Sequence, residues 1–142
     1  MGTINTEFLQ KCIDTLKKSY DMLKNCDEGS VDYEMYRNSL VKSFEMCLEQ
    51  SGKLLRKKLY PYFSGKKEVD MLSFKDLFRW AHKKSLLEEQ EVERWFHYRD
   101  NRNSTAYDYG VEFAQETLAL IDDFINDVEN LKKIIAADSI NE

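Results

Sequence analysis

Apolar side chains recur every three or four residues along most of the chain, and this spacing constrains the fold more than any other feature. Such spacing places the side chains on one face of an α-helix, whereas a half-buried strand needs a two-residue alternation. The single proline and five glycines also leave few turn residues for a many-stranded sheet. The sequence therefore predicts an all-α fold. In the last third of the chain the stripe runs through Phe113, Thr117, Leu120, Ile121, Phe124, Val128, Leu131 and Ile135.

Turn residues and helix-start signals divide this pattern into five predicted helices. Ser30 is placed to cap a helix that begins near Val31, and this helix must end before Pro61, which lacks the next backbone N–H. A Ser73-x-x-Asp76 signal starts a short third helix. The predicted helices cover about residues 6–23, 31–60, 73–84 and 88–103, and the last follows Asp108 as its N-cap.

The connections between these helices decide the predicted topology. Most are short, while residues 60–72 form the one long connection, which we expect to be irregular and the most flexible element. Five helices joined in this way predict an up-and-down four-helix bundle in which helices three and four share one position. With 142 residues and no internal repeat, the chain is expected to be a single domain over residues 1–142.

Charge, cysteines and hydropathy limit the classes of function. The net charge of -5 argues against a broadly basic nucleic-acid surface and leaves only a local anion site. Cys12, Cys26 and Cys47 are odd in number and lack a C-x-x-C spacing, so we expect small buried groups in a reducing compartment. No apolar run of about 18 residues and no signal-peptide pattern is present. We therefore expect a soluble, cytoplasmic protein with no membrane contact.

A candidate site lies where the fourth helix ends. Trp95, Arg99 and Arg102 are spaced i, i+4 and i+7, so both guanidinium groups point to the same side of the helix. Guanidinium is always charged and offers forked donors to phosphate oxygens, and neighbouring aromatic rings can stack on a base. We therefore predict a nucleotide or RNA phosphate site formed by Arg99, Arg102, Asn103 and Tyr107.

A purely structural role for the same residues stays open. In that interpretation Arg99 and Arg102 pair with Glu93, Asp100 or Asp108, and the tyrosines cap the bundle with solvated hydroxyls.

No other pattern in the sequence indicates a catalytic centre. His82 and His97 lack metal-ligand spacing, so we expect no metal site, and His97 is expected at the surface. Asp122, Asp123 and Asp127 are expected to form a solvated face of the last helix.

Three separate blocks of the sequence resemble the nucleotidyltransferase substrate-binding family, part of the HEPN superfamily and related to the HepT toxins. The order and spacing of the blocks agree over roughly residues 40–135. The matching residues are Lys42-Ser43-Phe44-Glu45, Phe74-Lys75-Asp76, Trp95, Tyr98 to Asn103, Thr105, Tyr109 and Ile121-Asp122-Asp123-Phe124.

The resemblance implies a helical bundle that forms a homodimer and pairs with a separately encoded minimal nucleotidyltransferase in a toxin-antitoxin-like system. It implies no cofactor in this chain, with ATP and Mg²⁺ on the partner. HepT-like members carry a ribonuclease motif of Arg, four residues, His, one residue and Tyr. In this sequence Arg102 matches the arginine, Asn103 the polar residue after it, and Tyr109 the tyrosine onto which the partner transfers AMP, which silences the toxin.

Tyr107 occupies the position of the motif's histidine. Neutral imidazole, with a pKa of about 6.5, takes a proton at neutral pH, whereas a phenol with a pKa of about 10 stays protonated. We therefore expect a binding subunit without activity of its own. The alternative is a HepT-type ribonuclease toxin, with Arg102 and with Tyr107 or His97 as catalytic groups, that is inactivated by AMP transfer to Tyr109.

Overall fold

The computed structural model describes residues 3–105 and 111–137, and the side chains within these ranges except those of residues 102–105 and 111–114. The described residues contain six helices and no strand, which confirms the predicted all-α fold and adds one short helix to the five expected. The helices are α1 (Glu7–Lys24), α2 (Val31–Leu59), α3 (Lys66–Asp70), α4 (Phe74–Lys83), α5 (Glu89–Thr105) and α6 (Val111–Ala136).

Two predicted helix starts are confirmed by the hydrogen bonds of their capping serines. The Ser30 hydroxyl accepts a bond of 3.0 Å from the Tyr33 N–H at the start of α2. At the start of α4, Ser73 accepts from the Asp76 N–H at 3.1 Å, and the Asp76 carboxylate accepts from the Ser73 N–H at 3.2 Å. These bonds from Ser73, with smaller effects of Arg79, lower the pKa of Asp76. The expected cap at Asp108 lies outside the described residues.

The segment between α2 and α4 is more regular than its sequence suggests. It forms a 3-10 turn over Tyr60–Tyr62 and then α3, so the expectation of an irregular connection is wrong. Val69 is fully buried, and the Arg56 guanidinium donates to the carbonyls of Val69 at 2.6 Å and of Leu72 at 3.1 Å. One buried side chain and one long-range donor thus hold this segment against α2.

Helix α2 is the central element, because it packs against α1, α4 and α6. Helix α5 packs between α4 and α6, with the Trp95 ring stacked on Phe78 of α4 at 4.9 Å between centroids and edge-on to Phe124 of α6 at 5.6 Å. This packing fixes the end of α5 that carries the candidate site.

The cysteines are placed as expected in two of three cases. Cys12 and Cys47 are buried, while Cys26 is half-buried, and all three are free. Burial raises the pKa of the Cys12 and Cys47 thiols. Among the described helices, none combines the length and apolar character that a bilayer crossing requires.

Candidate functional site

The last turns of α5 place one arginine at the surface beside two buried aromatic residues. Trp95 and Tyr98 lie in the core, whereas Arg99 is half-buried, with its guanidinium carbon 4.9 Å from the centre of the Phe74 ring in α4. The Phe74 ring in turn lies over Gly52 in α2, where an added Cβ would come within 3.0 Å of Phe74 Cδ2. Three helices therefore define the position of Arg99.

The remaining predicted site residues follow Arg99 at the end of α5. Arg102 and Asn103 lie within α5, three and four positions beyond Arg99, which is the spacing of neighbours on one helix face. Their side chains, and the whole of Tyr107 and Tyr109, lie outside the described residues. The structure thus shows the surroundings of Arg99, and the roles of all five residues stay predictions.

The acidic residues near Arg99 lie close to cationic side chains of α4. The Lys75 ammonium lies 2.8 Å from the Asp100 carboxylate. Glu93 faces a groove of about 360 Å³ between α4 and α5, whose other walls are Arg79, His82, Lys83, Glu89, Val92 and Phe96. Cationic and acidic side chains therefore face each other across this groove.

A buried carboxylate connects α5 to α6. The Asp127 side chain is only 7% exposed and accepts two hydrogen bonds of 2.8 Å from Nε and Nη2 of Arg94. It also accepts a bond of 2.5 Å from the Tyr98 hydroxyl. Burial, and then the bond to Asp127, raise the pKa of Tyr98, and the bond to Asp127 raises the pKa of Arg94.

The expectation that all three aspartates of α6 form a solvated face is therefore wrong for Asp127 and right for Asp122 and Asp123, which are exposed. A signal for this burial exists in the sequence. Asp127 lies three residues after Phe124 and four before Leu131, on the apolar stripe of the helix.

A second polar link joins the same two helices nearer the candidate site. The buried Thr117 hydroxyl donates a bond of 3.0 Å to Oδ1 of Asn101. The Asp127 and Thr117 bonds together hold α5 and α6 on either side of residues 106–110. The predicted tyrosines Tyr107 and Tyr109 thus belong to a short segment between two helices that are tied to each other.

Neither histidine lies in a metal-binding arrangement within the described residues. His97 is exposed, as expected, and His82 is exposed with its Nδ1 3.0 Å from the carbonyl oxygen of Leu87. No group of three or more His, Cys, Asp and Glu side chains in the described part of the chain is placed to hold a metal ion.

Comparison with known proteins finds a family model that matches most of the chain. The family described as "Nucleotidyltransferase substrate binding protein like" matches residues 5–137. A probable ribonuclease HepT from Haemophilus influenzae is 32% identical over 85 residues, which are 60% of this chain and 57% of the length of that relative.

A solved structure supports the same fold. A Haemophilus influenzae protein, described as revealing the fold of a substrate-binding domain of a nucleotidyltransferase, superimposes with a TM-score of 0.81 at 22% identity. The match covers 94% of this chain and all of the other.

Proposed function

Because the chain belongs to the nucleotidyltransferase substrate-binding protein-like family, we propose that it is a non-catalytic subunit that binds nucleotide or substrate for a minimal nucleotidyltransferase. The observation that carries this proposal is the family match over residues 5–137, which includes the whole arginine-bearing end of α5. The two proteins would form a two-component system resembling a toxin and its antitoxin. ATP with Mg²⁺ would bind to the catalytic partner.

The contacts that fix α5 against α4 and α6 support a binding role for Arg99 and Arg102. Arg99 lies against the Phe74 ring, and Arg94 and Tyr98 of the same helix are bonded to Asp127. A cation on a helix that is already fixed loses little conformational freedom when it binds a phosphate. The two guanidinium groups would bind phosphate oxygens, and Tyr107 would contact the base or the phosphate.

Co-expression with the minimal nucleotidyltransferase of the same genome tests the pairing. We expect the two proteins to copurify on a tag placed on either one and to elute together in size-exclusion chromatography. Recovery of each protein alone would contradict the proposal.

Titration of the purified chain with nucleotide, without the partner that would itself bind ATP and Mg²⁺, tests the binding site. Arg99→Ala and Arg102→Ala should each weaken nucleotide binding about tenfold, the effect of losing about 1.4 kcal/mol. Lys18→Ala, an exposed substitution on α1, is the matched control and should leave the affinity unchanged. Equal affinity in all three variants would refute the role of the arginines.

A homodimer is part of the same proposal, because a twofold axis would present two such sites to the partner. Light scattering of the purified chain should give twice the mass of one chain. A monomeric mass at all concentrations tested would refute the dimer.

A HepT-type ribonuclease is the second candidate, and the observation that favours it is the 32% identity to the probable ribonuclease HepT. In metal-independent cleavage the ribose 2′-oxygen attacks phosphorus, a base takes its proton, and an acid protonates the departing 5′-oxygen. Arg102 would stabilise the phosphorane, and Tyr107 or His97 would take the place of histidine. Growth arrest on expression that Arg102→Ala abolishes would favour it, whereas intact RNA at micromolar protein would exclude it.

Tyr109 is the proposed AMP acceptor in this second candidate. Its phenol oxygen would attack the α-phosphorus of ATP, releasing pyrophosphate and the phenolic proton. Incubation with the partner, ATP and Mg²⁺, followed by intact mass measurement, should show added AMP that Tyr109→Phe prevents. An unchanged mass would refute the assignment.

A further inference from the structure

The charged residues of the chain are distributed unevenly. Residues 53–84 contain ten Lys or Arg and three Asp or Glu, a net charge of +7, whereas the rest of the chain contains eleven and twenty-three. A protein with a net charge of -5 therefore carries one strongly basic region. This region precedes Arg99 in the sequence and includes none of the predicted site residues.

The basic region folds into one end of the bundle. Phe63, just after the 3-10 turn, packs edge-on against Trp80 of α4 with 5.0 Å between ring centroids. Arg56 of α2 donates to the carbonyls of Val69 and Leu72 at the end of α3, and Lys66 at the start of α3 lies over the Tyr60 ring. The last turns of α2 and α4 and the start of α3 are thereby brought together. We name this surface the basic end; its residues are Lys57, Lys66, Lys67, Lys83 and Lys84 with the rings of Tyr60, Tyr62 and Trp80.

Among the described residues, none of the five lysines of the basic end forms an ion pair with a carboxylate. Outside the basic end, Lys17 pairs with Glu129 and Lys75 with Asp100, each at 2.8 Å. The ammonium groups of the basic end are therefore not held in direct ion pairs, although Lys83 shares a groove with Glu89 and Glu93.

The three acidic residues of the region are engaged in other ways. Glu68 accepts a hydrogen bond from the Ser64 hydroxyl at 2.5 Å, and Asp70 accepts one from the Tyr60 hydroxyl at 2.8 Å. Asp76 caps α4 and pairs with Arg79 at 3.0 Å.

Aromatic rings alternate with these lysines at the surface. The Lys66 ammonium lies 5.1 Å from the centre of the Tyr60 ring, and that of Lys84 lies 5.7 Å from the centres of both Tyr62 and Trp80. Lys83 lies 4.5 Å from the Trp80 ring. Tyr62 is 38% exposed and Trp80 is half-buried, so parts of both rings are accessible.

We infer that the basic end binds single-stranded nucleic acid, with its lysines on the phosphates and the Tyr62 and Trp80 rings stacked on bases. Stacking requires base faces that a duplex does not expose, and cations interleaved with rings are the usual surface for a single strand. The site is separate from Arg99, since Phe74 and Lys83 are about 13 Å apart along α4. The inference does not rest on the proposed function.

Helix dipoles account for only part of this surface. Cations are favoured in the last turns of α2 and α4, where Lys57 and Lys83 lie. They are not favoured at the first position of a helix, where Lys66 begins α3, and a dipole does not explain exposed rings. A role in stability alone predicts that charge reversal changes unfolding and leaves ligand binding unaffected.

Fluorescence anisotropy of oligouridylate and oligothymidylate, each of about 12 nucleotides and labelled with fluorescein, tests the inference on the full-length protein. Lys83→Glu/Lys84→Glu should weaken binding at least tenfold. It should also reduce the slope of log affinity against log salt by about 1.4 between about 50 and 200 mM NaCl, because each phosphate contact of a single strand contributes about 0.7. The matched control Lys11→Glu/Lys18→Glu carries the same charge change on exposed positions of α1 and should stay within twofold of wild type.

Tyr62→Ala provides the second variant, because it should weaken binding while leaving the salt slope unchanged. If circular dichroism shows that Lys83→Glu/Lys84→Glu does not fold, Lys66→Glu/Lys67→Glu takes its place. Binding of both oligonucleotides or of only one supports the inference in either case.

Several results would overturn it. One is that neither oligonucleotide binds, and another is that the control Lys11→Glu/Lys18→Glu loses as much affinity as Lys83→Glu/Lys84→Glu. The others are that the affinity falls only in Arg99→Ala, or that a duplex of the same length binds as tightly as the single strand. Capture by vesicles of phosphatidylcholine with about one third phosphatidylserine, without oligonucleotide binding, would assign the basic end to a lipid surface instead.

Discussion

Replacing Asp127 with alanine is expected to lower the free energy of unfolding by about 1.5–4 kcal/mol, and two separate losses make up this value. The Tyr98 hydroxyl is buried and donates to Asp127, so truncation removes its acceptor at a loss of about 1–3 kcal/mol. Arg94 contributes less, about 0.5–1 kcal/mol, because its side chain is 40% exposed and water replaces the lost carboxylate.

Urea unfolding followed by circular dichroism measures these losses, and a double-mutant cycle separates them. Tyr98→Phe alone should cost about 0.5–1.5 kcal/mol, since Asp127 keeps both bonds from Arg94. The double variant Tyr98→Phe/Asp127→Ala lacks both partners, so its loss should fall short of the sum of the single losses by about 1 kcal/mol.

Asp123→Ala is the control for this cycle, because the residue is exposed on the same helix and should change stability by less than about 0.5 kcal/mol. The reasoning is refuted if the two single losses add, or if Asp127→Ala is indistinguishable from Asp123→Ala.

Three further predictions concern ionisation and capping. The pKa of Tyr98 is raised in the folded chain, so as pH rises this tyrosine ionises in the unfolded chain before it does so in the folded chain. Its contribution to the free energy of unfolding is therefore fully present below pH about 10 and is lost as pH rises through the folded pKa. Unfolding free energy should therefore fall between about pH 9 and 11, less steeply in Tyr98→Phe; identical slopes would contradict this. Iodoacetamide at neutral pH should modify Cys26 before Cys12 or Cys47, whose thiols are buried with raised pKa values, and mass spectrometry showing the reverse order would refute it. Ser73→Ala should cost about 1 kcal/mol in urea unfolding because it removes the cap of α4, and an unchanged midpoint would show that the cap contributes nothing.

The parts of the fold that could be predicted from sequence depend on contacts between near neighbours. Ser30 and Ser73 bond to residues three positions away, and Pro61 prevents α2 from continuing past it, so the ends of α2 and the start of α4 could be located. Helix α3 could not, because its five residues contain one buried anchor, Val69, and its carbonyl is bonded by Arg56 thirteen positions earlier. Contacts between residues so far apart along the chain leave no periodic pattern in the sequence.

In the candidate site, too, the local features could be predicted from sequence and the distant contacts could not. We could place Trp95, Arg99 and Arg102 on one helix because they lie within eight consecutive residues. The partners that position α5 could not be identified, since Asp127 lies 33 residues from Arg94 and aspartate is usually a surface residue. Only the position of Asp127 on the apolar stripe of α6 indicated that it is buried. We predicted a solvated residue because aspartate is usually exposed.

The close approach of Gly52 to the Phe74 ring has a consequence for how related sequences vary. Position 52 lies on α2, far in sequence from Arg99, yet a side chain there would displace the ring on which the arginine rests. Positions 52 and 74 should therefore covary across the family, a larger residue at the first accompanying a smaller one at the second. In a genetic screen, a Gly52 substitution that impairs function should be rescued by a smaller side chain at position 74, without any change in α5.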